Sequence, residues 1–345
     1  MKTIVVGSTH KSAGKTSLIV GLSKAAGKAS GYIKPLGDRL LYRKKRLWDY
    51  DAALVTSVFS LEGNPEEMTI GFEHAKLQYM YDADSMKDKL SEMLTVASEG
   101  KELVFVEAGE TLAYGSSLHL DPVAVAASLD ARLVLVAGGS EGTIVDDVAF
   151  IQRYIDLSGV DFAGIIINKV RNLEDYRSTH LADVSALGLN ILGVVPFEAE
   201  MTKLSVGHLA ERLLAKVIAG EQGLSHKVNA IMVGAMSTNA AMQNPLFKKD
   251  GKLVITGGDR TDLVLASIES NTSGIILTNN VLPPSNLVSK AQERGIPLLL
   301  VPFDTYQTAS QLENIDPLMT KDDTRKMDLI AQMVKDHVSL TDIVG

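Results

Sequence analysis

Residues 7–17 read Gly7-Ser8-Thr9-His10-Lys11-Ser12-Ala13-Gly14-Lys15-Thr16-Ser17, directly after the apolar run Thr3–Val6 and ahead of a helical pattern. Small residues let successive backbone N–H groups curl around a polyphosphate, with the positive end of the following helix behind them. In such a loop the Lys reaches the β- and γ-phosphates and the hydroxyl holds Mg²⁺. The sequence therefore predicts a nucleotide site whose contacts are Ser12, Ala13, Gly14, Lys15, Thr16 and Ser17.

This loop is a variant of the strict pattern G-x-x-x-x-G-K-[ST]. The strict pattern places its first glycine at position 9, where this chain has Thr9, and Gly7 lies two residues earlier. A capped helix start is the alternative interpretation of a short Gly-Lys-Thr sequence. Its position at the first turn between a strand and a helix favours the phosphate site.

Short apolar runs alternate with amphipathic stretches through the first two thirds of the chain. Continuous rather than alternating runs are typical of parallel strands that are buried on both faces. The predicted strands are Thr3–Val6, Gly31–Leu36, Glu102–Val106, Arg132–Ala137, Phe162–Ile167 and Asn190–Val195. The predicted helices include Ser85–Ala97, Thr143–Leu157 and Leu204–Ala219. This alternation predicts a doubly wound, mostly parallel α/β sheet.

A polar, glycine-containing stretch, Gly220–Lys227, separates this series from a second one. The second series predicts strands Ala230–Met236, Leu253–Thr256, Gly274–Thr278 and Pro297–Val301 and helices Arg260–Glu269 and Ser285–Arg294. An amphipathic helix at Lys321–Val338 follows. We therefore expect a nucleotide-binding domain at 1–222, a smaller α/β domain at 223–315, and a C-terminal helix at 316–345 that packs on a domain or a partner subunit.

Composition excludes several classes of function. The 345 residues suffice for two domains, and 34 Lys and Arg against 42 Asp and Glu disfavour a general nucleic-acid binder. No cysteine is present, which excludes disulfides, thiolate metal sites and a cysteine nucleophile. The first residues do not have the pattern of a signal peptide, and no apolar run approaches the roughly 18–20 residues of a membrane helix. We expect a cytoplasmic protein that does not contact membranes.

Four segments resemble dethiobiotin synthetase and the related N-terminal domain of phosphotransacetylases. They are the loop at 7–17, Gly31-Tyr32-Ile33-Lys34-Pro35, Tyr50-Asp51-Ala52, and Val104-Phe105-Val106-Glu107-Ala108-Gly109. The partitioning ATPases, in contrast, carry a second Lys five residues before the main one. That position here is His10, and Lys11 lies one residue too close.

The resemblance implies roles for particular residues. Lys34 would face a substrate pocket together with Lys11, while Thr16, Asp51 and Glu107 would hold Mg²⁺. A carboxylate at the end of a neighbouring strand is also where a nucleotide's Mg²⁺ must be bound. The alternative for Asp51 is a helix cap.

Two further positions are implied as nucleobase contacts. Asn168 ends the strand of Ile165-Ile166-Ile167-Asn168-Lys169 and would read the base, with Pro196 as a nearby pocket wall. An Asn at a strand end is also a common turn former, and that interpretation stays open.

The chain also departs from the synthetase. The synthetase continues its acidic strand with a Gly-Ala-Gly-Gly type loop, whereas Glu110 follows here, which disfavours an anionic carbamate-phosphate intermediate. The basic stretch Arg39–Arg46 is either a solvated strand or hairpin, or an anion-binding flap over the nucleotide or a second acidic ligand.

The second series resembles the DRTGG domain that follows the synthetase-like domain in phosphotransacetylases. The segments that carry the resemblance are Val233–Ser237, Val254–Asp262 and Val301–Ala309. Asp259 is either a helix cap or part of a second ligand or subunit contact at the start of that helix. We expect no acetyltransferase domain, and without cysteine no glutaminase activity in cis.

The leading functional hypothesis is an ATP- and Mg²⁺-binding regulatory or metabolite-sensing protein that forms a homo-oligomer, a dimer or higher. One alternative is an ATP-dependent ligase or kinase-like enzyme of the dethiobiotin synthetase class, activating a small carboxylate or carbamate, with Lys15, Lys11 and Lys34 as its catalytic residues. Another is a regulatory subunit of a separately encoded acyltransferase. The expected ligands are a nucleotide, ATP or GTP, and a small anionic metabolite.

Overall fold

The computed structural model describes residues 1–43, with only the backbone of Arg43, and residues 46–345. These residues form two compact units. Unit 1 contains Met1–Glu198 and Met319–Gly345, and unit 2 contains Ala199–Leu318. Among the described residues, no helix has the length and apolar character needed to cross a bilayer.

The strands are β1 (Lys2–Ser8), β2 (Ser30–Ile33), β3 (Leu40–Arg43), β4 (Arg46–Asp49), β5 (Leu103–Glu107), β6 (Arg132–Gly138), β7 (Asp161–Val170), β8 (Ile191–Pro196), β9 (Leu204–Ser205), β10 (Lys216–Ala219), β11 (Lys227–Val228), β12 (Ala230–Val233), β13 (Lys252–Gly257), β14 (Thr272–Thr278) and β15 (Leu298–Leu300).

The helices are α1 (Lys15–Ala26), α2 (Tyr50–Val58), α3 (His74–Met80), α4 (Ala83–Ala97), α5 (Pro122–Ser128), α6 (Glu141–Tyr154), α7 (Leu173–Thr179), α8 (Leu181–Ala186), α9 (Ala199–Thr202), α10 (Val206–Arg212), α11 (Thr238–Gln243), α12 (Pro245–Lys248), α13 (Thr261–Glu269), α14 (Ser285–Arg294), α15 (Thr305–Glu313), α16 (Thr324–His337) and α17 (Leu340–Val344).

Unit 1 is built on a parallel six-stranded sheet with the order β2-β5-β1-β6-β7-β8. The apolar residues of the central strand β1 are buried, as a sheet covered on both faces requires. Val6 of β1 is in register with Glu107 of β5, and Ile33 of β2 is in register with Val106. The carboxyl ends of β1, β5 and β2 therefore lie side by side, and the predicted doubly wound α/β class is confirmed.

The basic stretch before α2 forms a hairpin. Strands β3 and β4 pair antiparallel, with Leu40 opposite Asp49 and Leu41 opposite Trp48. The solvated-hairpin interpretation agrees with this pairing. Lys44 and Lys45, which belong to the predicted anion-binding flap, lie outside the described residues.

Unit 2 contains a five-stranded sheet with the order β10-β15-β14-β13-β12. Its strands are parallel except β10, which pairs antiparallel with β15 at the edge. A buried cluster on this sheet joins residues of α10 and α15 to β13, β14 and β15; it includes Val206, Leu209, Leu213, Leu253, Ile255, Ile276, Leu299 and Leu312.

The predicted single helix Leu204–Ala219 is wrong. Helical spacing ends at Leu214, which has a φ of 51° and is exposed. Lys216–Ala219 then forms β10. Because α10 and β10 both belong to unit 2, the boundary lies at 198/199 rather than near 222.

The C-terminal segment, residues 319–345, belongs to unit 1. Its helix α16 packs on α1, where a Cβ on Gly21 would meet Val334 and Ile330 at 2.9 and 3.0 Å. Beyond α16, the Ser339 N–H donates to the Leu192 carbonyl at 2.8 Å. The amphipathic helix predicted at 321–338 is confirmed, and its partner is the helix that follows the phosphate loop.

Candidate functional site

The phosphate loop joins the end of β1 to the start of α1. Gly14 has a φ of 102°, and a Cβ there would lie 2.5 Å from Asn168 Nδ2, so this position requires glycine. Lys15 is buried, and its Nζ donates to Ser8 Oγ at 2.8 Å. Burial lowers the pKa of Lys15. An oxyanion beside Lys15 would favour its charged form, which is the arrangement a phosphate site needs.

Side chains from β7 hold the loop from one side. The Asn168 amide donates to the Ala13 carbonyl at 2.8 Å, and Lys169 Nζ donates to the Ser12 carbonyl at 2.7 Å. Both contacts are made to loop carbonyls and use none of the loop N–H groups. They also occupy Asn168, so its reading of a nucleobase stays a prediction, as does the pocket-wall role of Pro196 at the end of β8.

Two contacts between side chains hold the outer part of the loop. His10 Nε2 lies 2.8 Å from Asp147 of α6, and Lys11 Nζ lies 2.7 Å from Glu110. Lys11 is half-exposed. Its catalytic role stays a prediction, since in this state its ammonium is paired with a carboxylate.

A second group of contacts centres on Glu107 at the end of β5. Thr16 Oγ1 donates to Glu107 Oε1 at 2.8 Å, and the Tyr32 hydroxyl donates to Oε2 at 2.9 Å. Burial, and next the charge of Asp51, raise the pKa of Glu107 to about 7. A hydroxyl and carboxylate oxygens are ligands that Mg²⁺ prefers, so the residues present fit this ion. Thr16, Asp51 and Glu107 as its ligands remain a prediction.

Lys34 lies in a cage of three carboxylates. Its Nζ is 2.5 Å from Asp38, 3.2 Å from Asp49 and 2.7 Å from Asp51. Burial alone would lower the pKa of Lys34, but the surrounding carboxylates outweigh burial and raise it well above its ordinary value. The three carboxylates can approach one another closely enough to bind a cation, and the Lys34 ammonium takes that place.

Asp51 contacts two cations of this site, Lys34 and Arg39. Burial opposes its charge, yet Lys34 and Arg39 outweigh burial and lower its pKa to about 2. The helix-cap alternative for Asp51 is wrong, because Asp49 caps α2: its Oδ1 accepts from the N–H groups of Asp51 and Ala52 at 2.9 and 3.1 Å. The Asp51 carboxylate instead contacts Lys34 and Arg39.

Sequence reasoning missed several members of this site. Asp38 and Asp49 complete the cage, Tyr32 binds Glu107, and Arg39 links the cage to the loop. The available signal was the density of acidic residues, three of them within 14 positions of one another in the stretch that also contains Arg39.

In unit 2, the segment that carries the DRTGG resemblance lies where β13 ends and α13 begins. The helix begins at Thr261 after Arg260, so the expected cap at Asp259 is wrong. Arg260 instead donates from Nη2 to the Met236 carbonyl at 2.7 Å. Asp304 caps α15 by accepting from the Gln307 N–H at 2.7 Å.

Family models cover most of the chain. A model described as an AAA domain matches residues 2–205, and a model of the DRTGG domain matches residues 208–315. The junction between the two matches lies close to the boundary of the two compact units.

Curated relatives share both regions. Phosphate acetyltransferases of Pseudomonas aeruginosa and Nitrosomonas europaea are each 25% identical over 98% of this chain, and that of Deinococcus radiodurans is 26% identical over 98%. The chain spans about half the length of these relatives, 51%, 50% and 50%.

Solved structures give weaker likenesses. MinD of Aquifex aeolicus, a cell division protein, is 15% identical with a TM-score of 0.38, covering 58% of this chain and 84% of MinD. The CBS and DRTGG domains of Clostridium perfringens pyrophosphatase are 20% identical with a TM-score of 0.29, covering 36% of this chain and 53% of that one. With its AAA domain match over residues 2–205 and its DRTGG domain match over 208–315, the chain belongs to the AAA domain family and is related to the corresponding half of phosphate acetyltransferases.

Proposed function

We propose that this protein binds ATP with Mg²⁺ at the phosphate loop and acts as a regulatory or metabolite-sensing protein. The observation that carries the proposal is the convergence of Lys15, Thr16 and Glu107 at the carboxyl ends of two adjacent strands, β1 and β5. Ligands of α/β proteins bind at this edge of the sheet.

The residues of the chain have distinct tasks in this binding. Lys15 would exchange its Ser8 partner for phosphate oxygens, and the loop N–H groups and the start of α1 would bind the rest of the polyphosphate. Thr16 and Glu107, with Asp51 close by, would hold Mg²⁺. The ion would supply neutralisation of the phosphate charge. Asn168 and Lys169 would keep the loop in the shape that binding requires.

Chain connectivity supports a regulatory role. The chain leaves unit 1 after Glu198 and re-enters it at Met319, so unit 2 is joined to the nucleotide unit at two points. At the re-entry point the Met319 carbonyl accepts a hydrogen bond from the Tyr50 hydroxyl at 3.1 Å. Tyr50 directly precedes Asp51 in the sequence. Further along, α16 packs on α1, which begins with Lys15. Both returning contacts reach elements of the proposed site.

The ligase alternative has less support. An anionic carboxylate or carbamate would need free cations, but Lys34 is enclosed by three carboxylates and Lys11 is paired with Glu110. The acyltransferase-subunit alternative draws its support from the relatives, which are named phosphate acetyltransferases. We also propose that the protein is cytoplasmic and forms a homo-oligomer.

Release of ADP from ATP separates the sensor from the ligase. We expect the full chain to release ADP slowly from ATP in the presence of Mg²⁺. Adding small carboxylic acids, each with bicarbonate, should keep the rate of ADP release within about threefold of the basal rate. The physical reason is that the caged Lys34 offers no cation to a second anion. Strong stimulation by one acid would contradict the sensor proposal and support the ligase. The control is the same panel without protein.

A further inference from the structure

We propose that Arg39 distinguishes ATP from ADP by contacting the γ-phosphate, an inference that rests on the proposed nucleotide site. Arg39 Nη2 donates to Ser12 Oγ of the phosphate loop at 3.0 Å. Its Nη1 lies 3.2 Å from both carboxylate oxygens of Asp51. One guanidinium thus links the loop to the acidic cage.

The position of Arg39 indicates which end of the polyphosphate it would meet. A Mg²⁺ ion held by Thr16, Asp51 and Glu107 would neutralise the charge at the β- and γ-phosphate end of the nucleotide. Asp51 is a proposed ligand of that ion and contacts Arg39 directly. Lys169 of β7 donates to the carbonyl of the same residue, Ser12, and β7 lies on the opposite side of β1 from β2, the strand that precedes Arg39. Arg39 would therefore approach a bound polyphosphate from the side of β2 and the proposed Mg²⁺ ligand Asp51, next to the γ-phosphate.

The contacts of Asp51 allow Arg39 to change partner. Asp51 keeps a second cation, Lys34 at 2.7 Å, when the guanidinium moves away. A buried carboxylate left without a partner would be costly, and Lys34 removes that cost. The Arg39 side chain is 19% exposed while that of Lys34 is 1% exposed, so Arg39 is the accessible cation of the two.

Only the side chain of Arg39 needs to move. Its backbone is held, because its N–H donates to Asp49 Oδ2 at 3.1 Å and its carbonyl accepts from the Tyr50 N–H at 2.8 Å. The planar guanidinium presents five donors, which suits simultaneous contact with a phosphate and the Ser12 hydroxyl. A lysine at this position would keep the charge but lose one of the two contacts.

The test is a comparison of ATP and ADP affinities by calorimetric titration of the full chain in Mg²⁺. For Arg39→Ala we expect ATP affinity to fall about 10- to 100-fold and ADP affinity to change less than about threefold, because a charged hydrogen bond to the γ-phosphate is lost. For Arg39→Lys we expect an intermediate loss for ATP alone. Arg132→Ala is the matched control and should change neither affinity. Arg132 is the first residue of β6, at the end of the parallel sheet opposite the phosphate loop.

Circular dichroism of each variant checks that the fold is retained. If Arg39→Ala is unstable, Arg39→Lys, which preserves the charge, takes its place in the comparison. Equal losses for ATP and ADP, or an unchanged ATP affinity, would overturn the role of Arg39 while leaving the nucleotide site in place. Failure of the unmodified protein to bind either nucleotide would instead overturn the proposed function, and this inference with it.

Discussion

Replacing Lys15 with alanine is expected to lower ATP affinity by at least about 100-fold, measured by calorimetric titration in the presence of Mg²⁺. Lys15 is the buried cation at the start of α1, and burial lowers its pKa, so its interaction with phosphate oxygens is poorly screened by water. The fold should persist, because the alanine removes a buried charge and leaves Ser8 with other hydrogen-bonding partners, the His10 and Glu110 carbonyls.

The matched control for this variant is Lys24→Ala on the same helix. Lys24 is exposed and pairs with Asp328 at 2.8 Å, far along α1 from the loop. We expect it to leave ATP affinity unchanged. If Lys15→Ala bound ATP within threefold of the unmodified protein, the interpretation of residues 7–17 as a phosphate loop would have to be abandoned.

Replacing Lys34 with methionine is expected to lower the free energy of unfolding of unit 1 by roughly 3–5 kcal/mol. The three carboxylates of Asp38, Asp49 and Asp51 would then be buried around an apolar side chain, without the ammonium that lies within 3.2 Å of each of them. Urea unfolding followed by the fluorescence of Trp48, the single tryptophan of the chain, measures this loss beside the cage.

Lys89→Met provides the comparison. Lys89 pairs with Glu92 on the surface of α4, and breaking such a pair should change stability by less than about 1 kcal/mol. A Lys34→Met protein as stable as Lys89→Met would show that the cage does not depend on its central cation. The argument against the ligase would then lose its basis, because Lys34 would be free to serve a substrate.

The strands and the phosphate loop could be predicted because their signals are local. A continuous apolar run such as Leu103–Glu107 indicates a buried strand whatever its neighbours, and Gly14-Lys15-Thr16 needs only the strand before it and the helix after it. The observed bounds differ from the predicted ones by a few residues at strand and helix ends.

Residues 204–219 show where local reasoning fails. Their apolar positions fit a helix, and 206–212 is one, but Lys216–Ala219 becomes a strand because Leu298–Leu300 offers an edge to pair with. That partner lies about 80 positions later in the sequence. The domain boundary was misplaced for the same reason.

The sequence analysis did not predict the acidic cage for a related reason. Lys34 follows β2, Asp38 precedes the hairpin, and Asp49 and Asp51 begin α2, so only the folded chain brings them together. An amphipathic pattern likewise predicted α16 but not the helix on which it packs. The close approach of the two helices depends on Gly21 of α1, which is far from α16 in the sequence.

Hydrogen–deuterium exchange of the full chain with and without ATP and Mg²⁺ tests the central claim most directly, because it reports on the site and on the returning helix in one measurement. We predict slower exchange at residues 8–17, which would close around the nucleotide, and a change in exchange at residues 324–337, which pack on the helix behind the loop. Unchanged exchange at residues 8–17 with saturating ATP and Mg²⁺ would contradict the account.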